Sequence, residues 1–210
     1  MTLTEYSLLA ASSLFAIVDP IAVVPSFLAM TPRDTPAERI RMARLACIVT
    51  AGVLLTFAFG GNYLFKLLGI TLPAFQMAGS IVLLLVALDM LRAQRSTVTE
   101  TREEMEAGAR KEDIAITPLA VPMLSGPGAI TTSVLLQNQA AGVAQHVALC
   151  VSILLVAGAS YAILYFSSHG ARWLSPIALK IGTRIMGLLL AAVAMQFMIN
   201  GLTALKGKLF

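Results

Sequence analysis

Along this chain, charged residues gather in clusters separated by long apolar runs. Between Glu5 and Arg33 only Asp19 carries a charge. None lies between Arg44 and Lys66, between Lys66 and Asp89, between Asp113 and Arg172, or between Arg184 and Lys206. A membrane-crossing helix needs about 20 apolar residues, each rising about 1.5 Å. Each shorter run therefore holds one span. The run from Asp113 to Arg172 holds two, with a turn near Gln137-Asn138-Gln139, Gly142 and His146. The pattern predicts six spans, near residues 6–30, 44–65, 72–91, 114–137, 146–167 and 184–204.

Composition points the same way. The chain is 58% hydrophobic and 12% charged, where a soluble domain carries roughly 25% charged residues. The basic residues also set an orientation. With the N-terminus outside, the inward connections hold Arg33, Arg39, Arg41 and Arg44, then Arg92, Arg95, Arg102, Arg110 and Lys111, then Arg172, Lys180 and Arg184. The outward parts hold only Lys66, Lys206 and Lys208, so the positive-inside rule places both termini outside. The net charge of +4 comes from these anchors and gives no nucleic-acid stripe. The start, Met1 to Glu5, has no basic residue, so no cleavable signal is expected. Cys47 and Cys150 fall on opposite sides of a bilayer in this topology, out of disulfide reach, and read as packing residues.

The spans repeat. A common shift brings Pro20 onto Pro127, Ala51-Gly52 near Ala157-Gly158, and Met77-Ala78-Gly79 near Ile185-Met186-Gly187. Such agreement across three spans indicates an internal duplication. Each unit has an odd number of spans, so the second copy inserts upside down, an arrangement used by transporters. The expected fold is an all-α membrane protein of two inverted three-helix repeats, residues 1–92 and 114–210, joined by a charged cytoplasmic linker, 93–113. The linker is expected to be partly helical over 99–109. Glycines 52, 79, 158 and 187 are expected to permit close helix contact.

Five of the nine prolines lie in spans 1 and 4. Proline inside a helix removes a backbone hydrogen bond and clashes with the preceding turn, but it suits the first residue of a new helix. Asp19 then reads as an N-cap before Pro20, and Gly126 as the equivalent before Pro127. Freed backbone at that depth must be buried in protein or line a wet cavity. Two broken spans at the midplane thus predict a hollow between spans 1 and 4. A carboxylate there costs about 2.5–3.5 kcal/mol to insert, so Asp19 is expected to have a task or a partner. Half-helix N-termini offer free N–H groups and positive dipole ends to an anion. The candidate substrate-binding residues are Asp19, Pro20, Ser125, Gly126, Pro127, Gly128, Thr131 and Thr132. A small zwitterion fits them, its carboxylate toward span 4 and its amine toward Asp19, which is also a candidate proton carrier. No cofactor or metal is expected. Elsewhere, Asp89 and Arg92 read as a surface pair, Asn62 and Asn200 as interfacial, and Gln76 and Gln196 as packing or path residues.

These motifs resemble a known family. Leu14-Phe15-Ala16-Ile17-Val18-Asp19-Pro20-Ile21 with Pro25 is similar to the first signature of the MarC family. Pro118-Leu119-Ala120-Val121-Pro122, leading to Ser125-Gly126-Pro127-Gly128-Ala129-Ile130, and Thr183-Arg184-Ile185-Met186-Gly187-Leu188 are similar to its later ones. The family often has Asn at the position of Asp19, and Gly and Asn where this chain has Ala22 and Val23. The resemblance implies a six-span protein of the bacterial inner membrane with its substrate site at the broken spans 1 and 4, akin to the small neutral amino acid transporters of the SnatA type. Three readings stay open: a secondary transporter of small amino acids, an exporter or channel for another small solute, and a non-transporting membrane scaffold. An enzyme is not expected, since no HExxH or GxSxG occurs and His146 and His169 lack partners arranged as ligands. Oligomeric state is left open.

Overall fold

The computed structural model describes residues 1–32, 34–92, 115–170 and 176–209. The linker 93–113, its expected helix and the Asp89–Arg92 pair lie outside the described residues and side chains. Among the described residues there are eight helices and no strand. In chain order they are α1 (Leu3–Val18), α2 (Pro20–Met30), α3 (Pro36–Leu68), α4 (Leu72–Arg92), α5 (Ala115–Leu124), α6 (Pro127–Gln139), α7 (Val143–Gly170) and α8 (Pro176–Leu209).

Local chemistry sets several of these ends. Thr2 and Glu5 close a reciprocal capping box on α1, and Thr35 and Glu38 do the same on α3, with Pro36 as its first residue. Each box satisfies two orphan N–H groups. It lets α3 begin about two turns before its apolar run, so the charged stretch of Glu38, Arg39, Arg41 and Arg44 is helical rather than a loop. At the far end Gly69 adopts φ +66°, and the N–H of Ile70 returns to the carbonyl of Phe65 at 2.9 Å. Glycine takes this left-handed turn without a Cβ clash.

Five apolar stretches are long enough to cross a bilayer: Leu3–Met30, Pro36–Leu68, Leu72–Arg92, Val143–His169 and Gly187–Leu205. The first joins α1 and α2. A sixth arises if α5 and α6, bent 56° from each other, count as one span. The turn between spans 4 and 5 falls between Gln139 and Val143.

Helix α3 packs against α5, α6 and α7. α1 lies on α7 and α6, α2 on α8, α7 and α5, and α4 pairs with α8 while also touching α5 and α6. The α1 face turned inward is Tyr6, Ala10, Leu14 and Val18, at helical spacing. The outward faces are just as apolar. Leu155 is 63% exposed, Leu188 63% and Ile48 61%, a coat suited to acyl chains and not to water. Lipid tails are as apolar as Leu, so close packing has to hold these helices together. The α4–α8 pair illustrates it. A Cβ on Gly201 would sit 2.5 Å from Met77 Cγ, and one on Gly187 3.0 Å from the Ala87 carbonyl oxygen. Gly79 also lies at a close contact, but Gly52 and Gly158 face open space and serve no helix contact.

Candidate functional site

The first interruption is one residue wide. The N–H of Asp19 still reaches the Phe15 carbonyl at 3.0 Å, closing the last turn of α1. The residue itself turns left-handed, φ 41° and ψ 63°. Proline disfavours the α conformation in the residue before it, and Asp tolerates the left-handed region because its short polar side chain bonds locally. Here Asp19 Oδ1 accepts from the Ala22 N–H at 3.3 Å, capping α2, whose first residue is Pro20. Among the described residues Asp19 is the only non-glycine with positive φ. Its side chain is exposed, as are Phe15, Ile17 and Ile21, while Val18 and Pro20 are buried.

The second interruption is broader. Thr117 (φ −130°, ψ 122°) and Val121 (φ −128°, ψ 120°) are extended because each precedes a proline, so α5 is an irregular, wide-turned segment. It closes when the Ser125 N–H and hydroxyl both donate to the Ala120 carbonyl, at 2.7 and 2.8 Å. That wide turn leaves Gly126 extended, and Pro127 starts α6 with no side chain capping it. The uncapped N-terminus holds the positive end of the helix dipole. Every residue from Leu124 to Thr131 is buried, and Thr132 half-buried.

This second break is covered by very close contacts. A Cβ on Gly79 would lie 2.3 Å from Pro127 Cβ, and one on Gly128 2.1 Å from Phe197 Cζ. Helices α4 and α8 therefore reach the start of α6 only because those two residues are glycine. A Cβ on Gly126 would stand 2.4 Å from the Pro122 carbonyl oxygen, so that carbonyl faces the break.

The two interrupted stretches pack on one another, α1 on α6 and α2 on α5. The buried Tyr6 hydroxyl donates to the Leu136 carbonyl at 2.9 Å, fixing α1 to α6. The amides of Asn62 and Asn138 bond each other, fixing α3 to α6, so Asn62 has a partner in the fold and not only an interfacial place. Buried Arg39 donates through Nε and Nη2 to the Thr31 carbonyl, at 3.0 and 2.6 Å. It puts a cation at the negative end of α2.

Of the expected site residues, Ser125, Gly126, Pro127, Gly128 and Thr131 are gathered at the second break, with Thr132 at its edge. Asp19 and Pro20 form the first. Thr131 and Thr50, the latter unremarked in the sequence, have buried hydroxyls with no partner among the described residues. Phe197 also escaped notice, and Arg39 was read only as one of the inward basic anchors. An arginine in the first turns of a helix, where the dipole disfavours it, was the available signal for Arg39. Gln196 bonds Asn200 in its own helix on an exposed face. His146 and His169 bond the Gly142 and Tyr165 carbonyls of their own turns. Both cysteines are free.

Helices of this length and apolarity, arranged this way, define an all-helical, multi-pass integral membrane protein. Residues 4–205 match the model of the MarC family integral membrane proteins, and the chain belongs to that family. It is 37% identical over 198 residues to the UPF0056 membrane protein MJ1677 of Methanocaldococcus jannaschii, covering 94% of this chain and 96% of that one. It is 35% identical to the UPF0056 membrane protein YvbG of Bacillus subtilis, covering 90% of each. The UPF0056 membrane protein YhcE of Escherichia coli is 30% identical, covering 90% of this chain and 88% of that one. No solved structure matches the chain.

Proposed function

We propose that this protein is a secondary transporter of small neutral amino acids, working by alternating access around the interruptions at Asp19 and Gly126. The observation that carries this reading is the start of α6: a buried helix N-terminus, uncapped by any side chain, opposite the Pro122 carbonyl. A positive and a negative backbone end face one another there, the polarity of a zwitterion. On this reading both breaks lie near the bilayer midplane, and Asp19 carries the coupling proton. The membrane is the bacterial inner membrane, with both termini outside.

The pattern of helix packing supports an inverted repeat. Exchange α1 and α2 with α5 and α6, α3 with α7, and α4 with α8. The packing of α1 on α7 then becomes that of α5 on α3, α2 on α8 becomes α6 on α4, and α1 on α6 becomes α5 on α2. The α3–α7 and α4–α8 pairs map onto themselves. The α4–α5 and α6–α7 packings have no equally extensive counterpart.

The test is counterflow of labelled glycine, alanine and serine by the purified protein in liposomes, with and without a proton gradient. Saturable counterflow of at least one is expected. Counterflow of none removes the amino-acid assignment.

A further inference from the structure

Helix α8 supplies the least covered of the five membrane-crossing stretches: 11% of its apolar window is buried, against 24–39% of the other four. Its neighbours lie on one side. Gly187, Ala194 and Gly201 recur every seven residues and are buried, and both glycines press against α4. Phe197, which reaches the start of α6, is turned toward the same side. At 3.6 residues per turn, Gln196 stands about 200° around the helix from Ala194. It is exposed, as are Ala192 one turn before it and Asn200 one turn after it.

Gln196 is also the middle residue of the stretch Gly187–Leu205. About 14 Å of helix separates it from either end, which puts it at the centre of the hydrocarbon. An amide there is costly unless its N–H and C=O groups find partners. A hydroxyl meets that demand within its own helix, as Thr203 does by donating to the Ile199 carbonyl at 2.9 Å. An amide has more to satisfy. Gln196 Nε2 donates one hydrogen to Asn200 Oδ1 at 2.9 Å. Its second hydrogen and its Oε1 have no bond among the described residues.

Acyl chains offer neither donor nor acceptor, whereas a second copy of this chain offers both. Copies inserted in one orientation form a closed pair only about an axis along the membrane normal, which sets each residue opposite itself at equal depth. Gln196 then meets Gln196 of a second copy. Each brings one spare acceptor and one spare hydrogen, so the partial charges left on one copy are complementary to those on the other. Two Nε2–H···Oε1 bonds close the pair. Ala192, small and exposed on the same face, lets the two backbones come near, as membrane helix interfaces require. We infer that the protein forms a homodimer through the outer face of α8, with the two Gln196 amides bonded to each other at the bilayer centre. One side of α8 thus holds the fold of its own copy through α4, and the opposite side holds the partner.

The experiment uses the full chain in lipid and needs no transport assay. Single-molecule photobleaching of fluorescently labelled protein counts copies in liposomes as the protein-to-lipid ratio falls. Wild type should show pairs, and Gln196→Leu should separate at a protein density about tenfold higher or more, two interhelical bonds being lost. Leucine suits a lipid-facing position, so that variant should melt in detergent like wild type, which separates loss of pairing from loss of fold. Ile48→Ala, on the exposed face of α3, should pair like wild type. Ala192→Cys keeps Gln196 and should form a disulfide-linked dimer in membranes under copper phenanthroline, and adding Gln196→Leu should suppress that link. Wild type, which has free Cys47 and Cys150, and Leu155→Cys on α7 should not link. A wild type that is single at every density overturns the assignment, as does pairing that Gln196→Leu leaves unchanged. So does a pair linked through Leu155→Cys in place of Ala192→Cys. Modification of Ala192→Cys by a water-soluble maleimide overturns it too, by putting this face in water.

Discussion

At the residue scale, Asp19 and Arg39 carry most of the local consequence. Asp19 combines a left-handed backbone with a cap on the Ala22 N–H. Asparagine can do both, since it tolerates that conformation and accepts the same bond. Asp19→Asn is therefore expected to change thermal stability in detergent by less than about 0.5 kcal/mol, while losing the response of uptake to a proton gradient. An unchanged gradient response would remove the coupling role. Asp19→Ala loses the cap and keeps the strain, and should cost about 2 kcal/mol. Arg39 is a structural matter. Its two bonds end on one carbonyl, Thr31 O, at the C-terminus of α2. Arg39→Ala leaves that carbonyl with only the Asp34 N–H, at 3.3 Å, and, with the charge-assisted bonds lost, should lower stability by about 2 kcal/mol. Arg39→Lys, with a point charge for a planar fork, should fall between. Thermal unfolding of the purified variants checks both values.

At the element scale, the interruption before α6 depends on what glycine leaves out. An alanine methyl at position 128 would meet the Phe197 ring, whose nearest atom is 2.1 Å from the Cβ position. Gly128→Ala should therefore drive α8 from α6 at a cost of about 1–3 kcal/mol. Adding Phe197→Leu, which removes the offending ring, should restore part of that stability. Melting temperatures that simply add across the two changes would mean that they do not touch. Much of this element structure was legible beforehand. The prolines at 20 and 127 mark helix starts because proline accepts the first position and rejects the interior, and the charge gaps mark apolar lengths. What escaped has physical reasons. The capping box at Thr35 carries α3 into its charged approach, against the hydropathy signal, so the span began late in the sequence reading. Gly52 and Gly158 resemble Gly79 in any pattern of small residues, and only the rotation of each helix decides which faces a neighbour. Thr50 looked like any apolar-helix threonine. What sets it apart is a bond it fails to make, which no pattern in a chain reveals.

At the scale of the molecule, the two breaks have different surroundings: Asp19 is exposed, whereas the chain from Leu124 to Thr131 is buried. In an inverted repeat, exchanging the conformations of the halves turns an arrangement open on one side into one open on the other. On the transporter reading proposed above, the difference between the breaks is the asymmetry of one state, and transport requires α6 to shift against its packing partners. Helix α3 is the partner to test. The Asn62 and Asn138 amides touch, so cysteines at these positions lie within reach of a short bis-methanethiosulfonate crosslinker, whose disulfide links a reductant cleaves. Treatment of the Asn62→Cys, Asn138→Cys protein should stop glycine counterflow while preserving glycine-induced stabilisation, and a reductant should restore flux. Each protein with one of the two substitutions, which keeps the native Cys47 and Cys150, should transport normally after the same treatment. If the crosslinked protein carries glycine at the untreated rate, α3 and α6 move as one body, and the moving boundary must lie elsewhere, with α4–α8, α3–α7 and α1–α7 among the other extensive interfaces between the halves.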